Sequence, residues 1–460
     1  MNRHTLKTAA VDLWANGKTA LHNFRRQLQP PDVDYIVLNL SGSLPEYFPP
    51  PPRWQKWLPF DLPGAASGLS FSGLRHIFEQ IAGDPRPLGV LLNLDGLDVG
   101  WAQAQSLRDA IARLRKGGKK VIAYSGEYGA LNYFIAAAAD TVIAPPPARW
   151  AITGLRLELT FLKDALKAVG VEAEVINVSP YKAAYDTLAR ADISPEHQAM
   201  LDWIMDGQYE AMVAAIADGR QLDPARVREL IDNAPFTAEA ARLHGLIDAV
   251  LYEDALAETL APEEKKEKKN KKRWWRPFGK KEEAEPGQPK AQLKRWGAVR
   301  STLRRPVRWR SGKHVDVIAL EGTIIPGNSQ QFPTPIPVPF LGNDFAGAET
   351  IAQHFRDAEK DDDCAAIVFY VDSRGGSALA SDLIWREVDR VRRKKPVVAL
   401  MSNYAASGGY YVSAAAPWII AQPLTVTGSI GVITMKVVTA GLYDRFNAKR
   451  VILQRGAKAG

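Results

Sequence analysis

Apolar runs at Tyr35–Leu40, Leu88–Leu94, Val121–Ala123 and Thr141–Ala144 alternate with stretches of helical period such as Ala104–Lys116. The same order returns at Val315–Leu320, Ala366–Val371, Val397–Leu400 and Trp418–Ala421. Short apolar strands separated by amphipathic helices predict an α/β fold with a mostly parallel sheet flanked by helices. Its recurrence predicts two tandem copies. A chain of 460 residues with 46% hydrophobic content is long and apolar enough for both.

An alignment of the chain on itself at a shift of 277 supports the duplication. Tyr133, Ala137, Ala138, Ala139, Ile143, Ala144 and Pro146 fall on Tyr410, Ala414, Ala415, Ala416, Ile420, Ala421 and Pro423. The second copy places chemistry where the first does not. Its strand Val397–Leu400 leads into Tyr404-Ala405-Ala406-Ser407-Gly408-Gly409-Tyr410-Tyr411, which sets a serine between small residues at a strand-to-helix turn. The flanking glycines remove the Cβ atoms that would keep a substrate backbone from the hydroxyl and the helix N–H groups. About 30 residues upstream, Ala366–Val371 runs into Asp372-Ser373-Arg374-Gly375-Gly376-Ser377, a second turn offering bare N–H donors. Either turn alone would also serve tight strand–helix packing. In the first copy Ala130 occupies the serine position, Leu131 and Asn132 replace the two glycines, and the turn Asp95–Gly100 keeps at most one paired glycine. The first copy is expected to retain the fold and lack a nucleophile.

The pair SRGGS and AASGGYYVSAAA, followed by Thr427-Gly428-Ser429-Ile430-Gly431-Val432, resembles the long, two-repeat form of signal peptide peptidase A. That family comprises serine-lysine peptidases of the Clp protease/crotonase superfold. The match departs at Arg374, where the family usually has proline. None of the seven histidines lies in either glycine turn, although triad partners need only meet in space. The resemblance implies a different base. Val175-Ile176-Asn177-Val178-Ser179-Pro180-Tyr181-Lys182-Ala183-Ala184 is similar to the family's lysine segment, which makes Lys182 general base to Ser407. The same carry-over gives Ser429 as the hydroxyl that orients the lysine, and the N–H groups of Gly375 or Gly376 and of Gly408 as oxyanion donors. A lysine of ordinary pKa, about 10.4, is protonated at neutral pH, so the base must be desolvated or held beside other cations. Lys458 lies within a residue of the corresponding slot in the second copy, the one that single-repeat relatives use, and is the alternative base.

The expected organisation is an amphipathic segment 1–30, a first crotonase-like repeat 31–260 that supplies the lysine, a basic linker 261–313 and a second repeat 314–460 that supplies the nucleophile. The second repeat stops where the first continues through 195–217 and 225–250, which suggests truncation.

Charge is concentrated in the linker. Residues 265–313 hold 19 Lys and Arg against 4 Glu, a net of +15 in a chain of +8, which leaves −7 elsewhere. With Trp274, Trp275, Trp296 and Trp309 interspersed, this segment suits either a solvated tether or an anionic membrane surface. Nucleic acid would use the same charges, but no other feature favours it. The single cysteine, Cys364, excludes an intrachain disulfide, and no metal-ligand spacing or cofactor motif shows. No apolar run reaches the length of a signal peptide or a membrane span, so a peripheral position on the cytoplasmic side is expected. The resemblance implies cleavage of signal peptides or other short apolar peptides by a homo-oligomer, a tetramer in the long form. An acyl-CoA hydratase or isomerase of the same superfold, or a non-catalytic scaffold, is the rival reading.

Overall fold

The computed structural model describes residues 3–27, 33–47, 69–262, 289–307, 312–331, 343–457 and 459. The chain divides into two compact units, one of residues 1–154 and 210–312, the other of residues 155–209 and 313–460. Both are α/β units.

The first unit is built on a six-stranded parallel sheet in the order Ala249–Val250, Thr141–Ala144, Lys120–Tyr124, Gly89–Asn93, Tyr35–Asn39, Leu293–Arg295. Its strands are near-continuous apolar runs because helices cover the sheet. Helix Phe71–Ala82 buries Leu74, Ile77, Phe78 and Ile81, and helix Trp101–Lys116 buries Leu107, Ile111 and Leu114, each at helical spacing. Tyr35, Leu91, Ile122 and Ile143 form a separate cluster with Leu256 and Ala291.

One strand departs from expectation. Leu293–Arg295 lies within the basic stretch anticipated as a linker, yet it pairs with Tyr35–Val37 and adds the sheet's last strand. Ala291, Val299 and Leu303 are buried around it. Three buried apolar side chains at the right positions were enough to recruit this piece into the core despite its charge. Residues 263–288 and 308–311, with Trp274, Trp275 and Trp309, lie outside the described residues. Arg3–Gln27 is one long helix, and its His22 and Asn23 side chains bond the carbonyls of Leu303 and Arg305. Among the described residues, no helix is long and apolar enough to cross a membrane.

The second unit repeats the design. Its sheet runs in the order Gln330–Gln331, Asp344–Gly347, His314–Ile325, Cys364–Gly376, Val397–Ala406, Trp418–Ala421, all parallel except the first pair. Strands at Lys120 and Val397, and at Thr141 and Trp418, begin at the 277-residue shift of the sequence repeat. Ile318, Leu320, Ile367, Phe369, Val397, Ala399 and Met401 pack against helices Ala348–Lys360 and Ala378–Val391. Phe355 and Phe369 meet edge to face, 5.1 Å between ring centres. The strand Val397–Ala406 forks at its far side. Val398–Met401 pair with Trp418–Ala421, and Tyr404–Ala406 pair with Val426–Gly428.

The remaining component of this unit is the segment 155–209. Its strand Glu172–Asn177 forms an antiparallel ribbon with Ile433–Val438, in register from Asn177 opposite Ile433 to Glu172 opposite Val438. Lys182 follows this ribbon directly.

Candidate active site

Ser407 caps the helix Gly408–Ser413 with φ +53° and ψ −117°, a backbone state that a residue with a side chain rarely adopts. Such a turn lifts the side chain clear of both strand and helix, as a nucleophile requires. The surroundings hold it there. The Ser407 N–H donates to Gly428 O at 2.8 Å, and the Ser407 carbonyl accepts from Tyr411 N at 2.9 Å. On the other side, Gly375 lies so close that a Cβ there would stand 2.8 Å from Ser407 Cβ and 2.6 Å from Gly408 N. At φ +100° that position needs glycine for its conformation as well as for space. A Cβ on Gly408 would meet Ser381 Oγ at 2.5 Å. The two glycine turns singled out in the sequence are therefore adjacent, backbone against backbone.

The Gly375–Gly376 turn is braced from below. Gly375 N–H donates to Ser373 Oγ at 3.1 Å, and the Ser373 hydroxyl donates to Gly322 O. Asp372 accepts the Tyr404 N–H at 3.0 Å and a longer bond from Asn403 Nδ2 at 3.4 Å. Burial raises the Asp372 carboxyl above its usual pKa in spite of these bonds. Arg374, in the place of the family's proline, lays its guanidinium over the Tyr404 ring, 4.3 Å from the centre. A side-chain clamp between the two strands thus stands where a rigid ring would be.

Lys182 is buried, only 4% exposed. Its Nζ donates to Ser429 Oγ at 3.1 Å and to the Ser429 carbonyl. Desolvation by burial lowers its pKa from the ordinary lysine value. The loop that carries it is tied at several points. Val178 N–H bonds Val432 O at 2.8 Å, and a Cβ on Gly431 would strike Val178 O at 2.3 Å. Asn177 Nδ2 reaches the carbonyls of Ser179 and Lys182, both at 3.3 Å. Ser179 and Ser429 both take positive φ, +93° and +51°. Gly428 and Ser429 complete the link: one accepts the Ser407 N–H and its neighbour holds the Lys182 Nζ. The hydroxyl, the low-pKa amine and the glycine turns all belong to one compact unit. Lys458 lies outside the described residues.

Sequence reasoning missed the supports. Besides Ser373, Asp372 and Asn177, a buried group stands behind the lysine loop: Ser194 Oγ bonds Asp186 Oδ2 at 3.2 Å, and His197 Nδ1 lies 3.6 Å from the same oxygen. Asn177 sits inside a stretch that carries the resemblance, but its side-chain partners become visible only in three dimensions.

The first unit's counterpart is chemically different. Ala130 is the first residue of helix Ala130–Ala136, and its cap, Gly129, has φ −90°, so no strained turn forms. Asp95 takes hydrogen bonds from Ser125 Oγ and Gly126 N, both at 2.7 Å, and Asn132 Nδ2 donates to Glu127 O at 2.6 Å. A side-chain network fills the place of bare donors.

The description "Peptidase family S49" matches residues 113–267 and 389–459, the two stretches that contain Lys182 and Ser407. The chloroplastic serine protease SPPA of Arabidopsis thaliana is 31% identical over 398 residues, 85% of this chain and 54% of that protein. The chain belongs to peptidase family S49. Protease 4 of Haemophilus influenzae is 30% identical to this S49 chain over 405 residues, 87% of it and 62% of the relative. Protease 4 of Salmonella typhi is 28% identical over 370 residues, 78% and 54%. The S49 chain thus spans a little over half the length of these curated relatives.

Proposed function

We propose that this chain is a serine endopeptidase in which Ser407 is the nucleophile and Lys182 the general base, acting on signal peptides or other short apolar peptides. The supporting observation is the path Ser407–Gly428–Ser429–Lys182, which ties a strained serine to a buried amine of lowered pKa within one unit. In its neutral form the Lys182 amine takes the Ser407 Oγ proton as Oγ bonds the scissile carbonyl carbon. The carbonyl π electrons move to oxygen. That oxyanion is received by the Gly408 N–H and by the glycine turn, where Gly376, or Gly375 on exchange of its Ser373 bond, supplies the second donor. Collapse breaks the C–N bond, and the leaving amine takes the proton from Lys182. Water then attacks the acyl-enzyme, giving one proton to Lys182 and returning Ser407 to its hydroxyl form. Ser429 acts as an orienting acceptor that leaves the amine lone pair aimed away from itself.

The relatives' names, serine protease SPPA and Protease 4, agree with this reading. A fluorophosphonate probe tests it. One label per chain on Ser407, lost in Lys182→Met, is expected. Absence of labelling together with acyl-CoA turnover would instead favour the hydratase and isomerase branch of the superfold, which has no use for a nucleophile.

A further inference from the structure

Strands His314–Ile325 and Cys364–Gly376 begin side by side, His314 paired with Cys364. Three donors of different chemistry converge at this start: the His314 imidazole, the Asp316 carboxylate and the Cys364 thiol, with ligand atoms all within 4.8 Å of one another. A second carboxylate comes from the adjoining turn. His314 Nε2 is 3.2 Å from Asp316 Oδ1 and 3.4 Å from Asp361 Oδ2. A tetrahedral shell with bonds of about 2.0–2.2 Å has edges of about 3.3–3.6 Å, so both separations are close to those between ligands sharing one ion. The turn is fixed by its backbone: Cys364 N–H bonds Asp361 O at 3.1 Å, Asp363 N–H bonds Asp361 Oδ1 at 2.9 Å, and His314 N–H bonds Asp363 O at 2.9 Å.

We propose that His314, Asp316, Asp361 and Cys364 form a structural site for one thiophilic divalent cation, with Zn²⁺ the ion that the donors favour. One sulfur, one imidazole nitrogen and two carboxylates suit a four-coordinate borderline ion, whereas magnesium and calcium select all-oxygen shells. In the free site the Cys364 S–H donates to the Ala366 carbonyl, 3.4 Å away. Metal entry forms the metal–sulfur bond and releases that proton to solvent. A neutral imidazole, two carboxylates and a thiolate then face a divalent cation, and Lys395, whose Nζ bonds the carbonyls of Ala358 and Asp361, contributes the remaining positive charge. Cys364 and Gly375 lie 11 residues apart on one strand, about 36 Å at about 3.3 Å per residue, so the ion clamps the start of two strands and takes no part in peptide cleavage. The sequence spacing hides the site, because His314 and Cys364 are 50 residues apart and meet only through strand pairing.

Because the chain has a single cysteine, its thiol chemistry reports on this site alone. The full chain, stripped with chelator and dialysed against Zn²⁺ alone, is expected to retain one ion per chain and to lose at least about tenfold in the rate of Cys364 modification. Co²⁺ should give thiolate charge-transfer absorption in the wild-type chain. Cys364→Ser and Asp361→Asn, the second on the exposed turn where folding is least at risk, should each lower the bound metal. Sub-stoichiometric binding by wild type, or unchanged stoichiometry in Cys364→Ser, overturns the proposal.

Discussion

Replacing Lys182 by Met tests the base assignment while preserving most of the packing. Methionine keeps an unbranched apolar stem in the buried slot but removes Nζ and its bonds to Ser429 Oγ and Ser429 O. Those bonds contribute about 1.5–3 kcal/mol each where the amine is charged. Against this, burial penalises the ammonium by about 1.4 kcal/mol for every pH unit by which the pKa falls. The two contributions oppose one another, so thermal stability at neutral pH should change little. Their pH dependence has a definite sign. The folded chain disfavours the charged amine, so the destabilisation is fully present below the lowered folded pKa and disappears as pH rises to the unfolded value. Lys182→Met abolishes that limb of the stability curve. Activity follows the same titration, rising with pH as the amine becomes neutral, with a midpoint below that of an ordinary lysine. General-base loss alone costs about 10²–10⁴ in rate, and a nucleophile and base acting as one unit cost more. Turnover of an apolar peptide should therefore fall at least about 10³-fold with the fold intact. A variant that keeps more than about a tenth of wild-type kcat would refute the reasoning, and an equal loss in Lys458→Met would move the base to the second repeat.

Ser407→Ala should abolish hydrolysis and probe labelling while circular dichroism and melting remain close to wild type; retained hydrolysis would exclude Ser407. Ala130→Ser should leave one probe label per chain, because its helical backbone, Leu131 and Asn132 offer no strained turn. Gly375→Ala should cost about 1–3 kcal/mol in stability and much of kcat, since its Cβ would stand 2.6 Å from Gly408 N at φ +100°; wild-type kinetics would show that the turn relaxes freely. If residues 265–313 hold an anionic membrane surface, vesicles with anionic lipid should bind the chain far better than neutral ones, and salt should weaken binding as the Debye length falls from about 10 Å at 0.1 M to about 3 Å at 1 M. Equal partition to both would remove the membrane reading.

The alternating strand and helix pattern, the 277-residue repeat and both glycine turns were legible because each is a local signal: apolar period, self-similarity, and small residues where backbone meets backbone. The strained serines were not. Ser179, Ser407 and Ser429 take positive φ without being glycine, so their conformation is imposed by bonds such as Ser407 N–H to Gly428 O that no residue preference encodes. Leu293–Arg295 was hidden for the opposite reason, since the surrounding lysines and arginines drown the few apolar positions that enter the sheet.

The organisation of the candidate site was the least legible feature, and it bears most on function. By sequence Lys182 belongs to the first repeat, which invites a reading in which one domain supplies a base to another. The fold assigns 155–209 and 313–460 to the same compact unit, with Glu172–Asn177 and Ile433–Val438 as the ribbon that joins them. Both strands of that ribbon are largely exposed, so neither carries the buried apolar run that marks a core strand. Its register is set instead by the loop contact of Val178 with Gly431 and Val432. A shift of one residue would turn every side chain of the ribbon to the opposite face and would displace the Lys182 loop from Ser429. On the proposed reading the first repeat keeps its strands and helices without a nucleophile, while the excursion 155–209 carries Lys182, the amine proposed as base to Ser407.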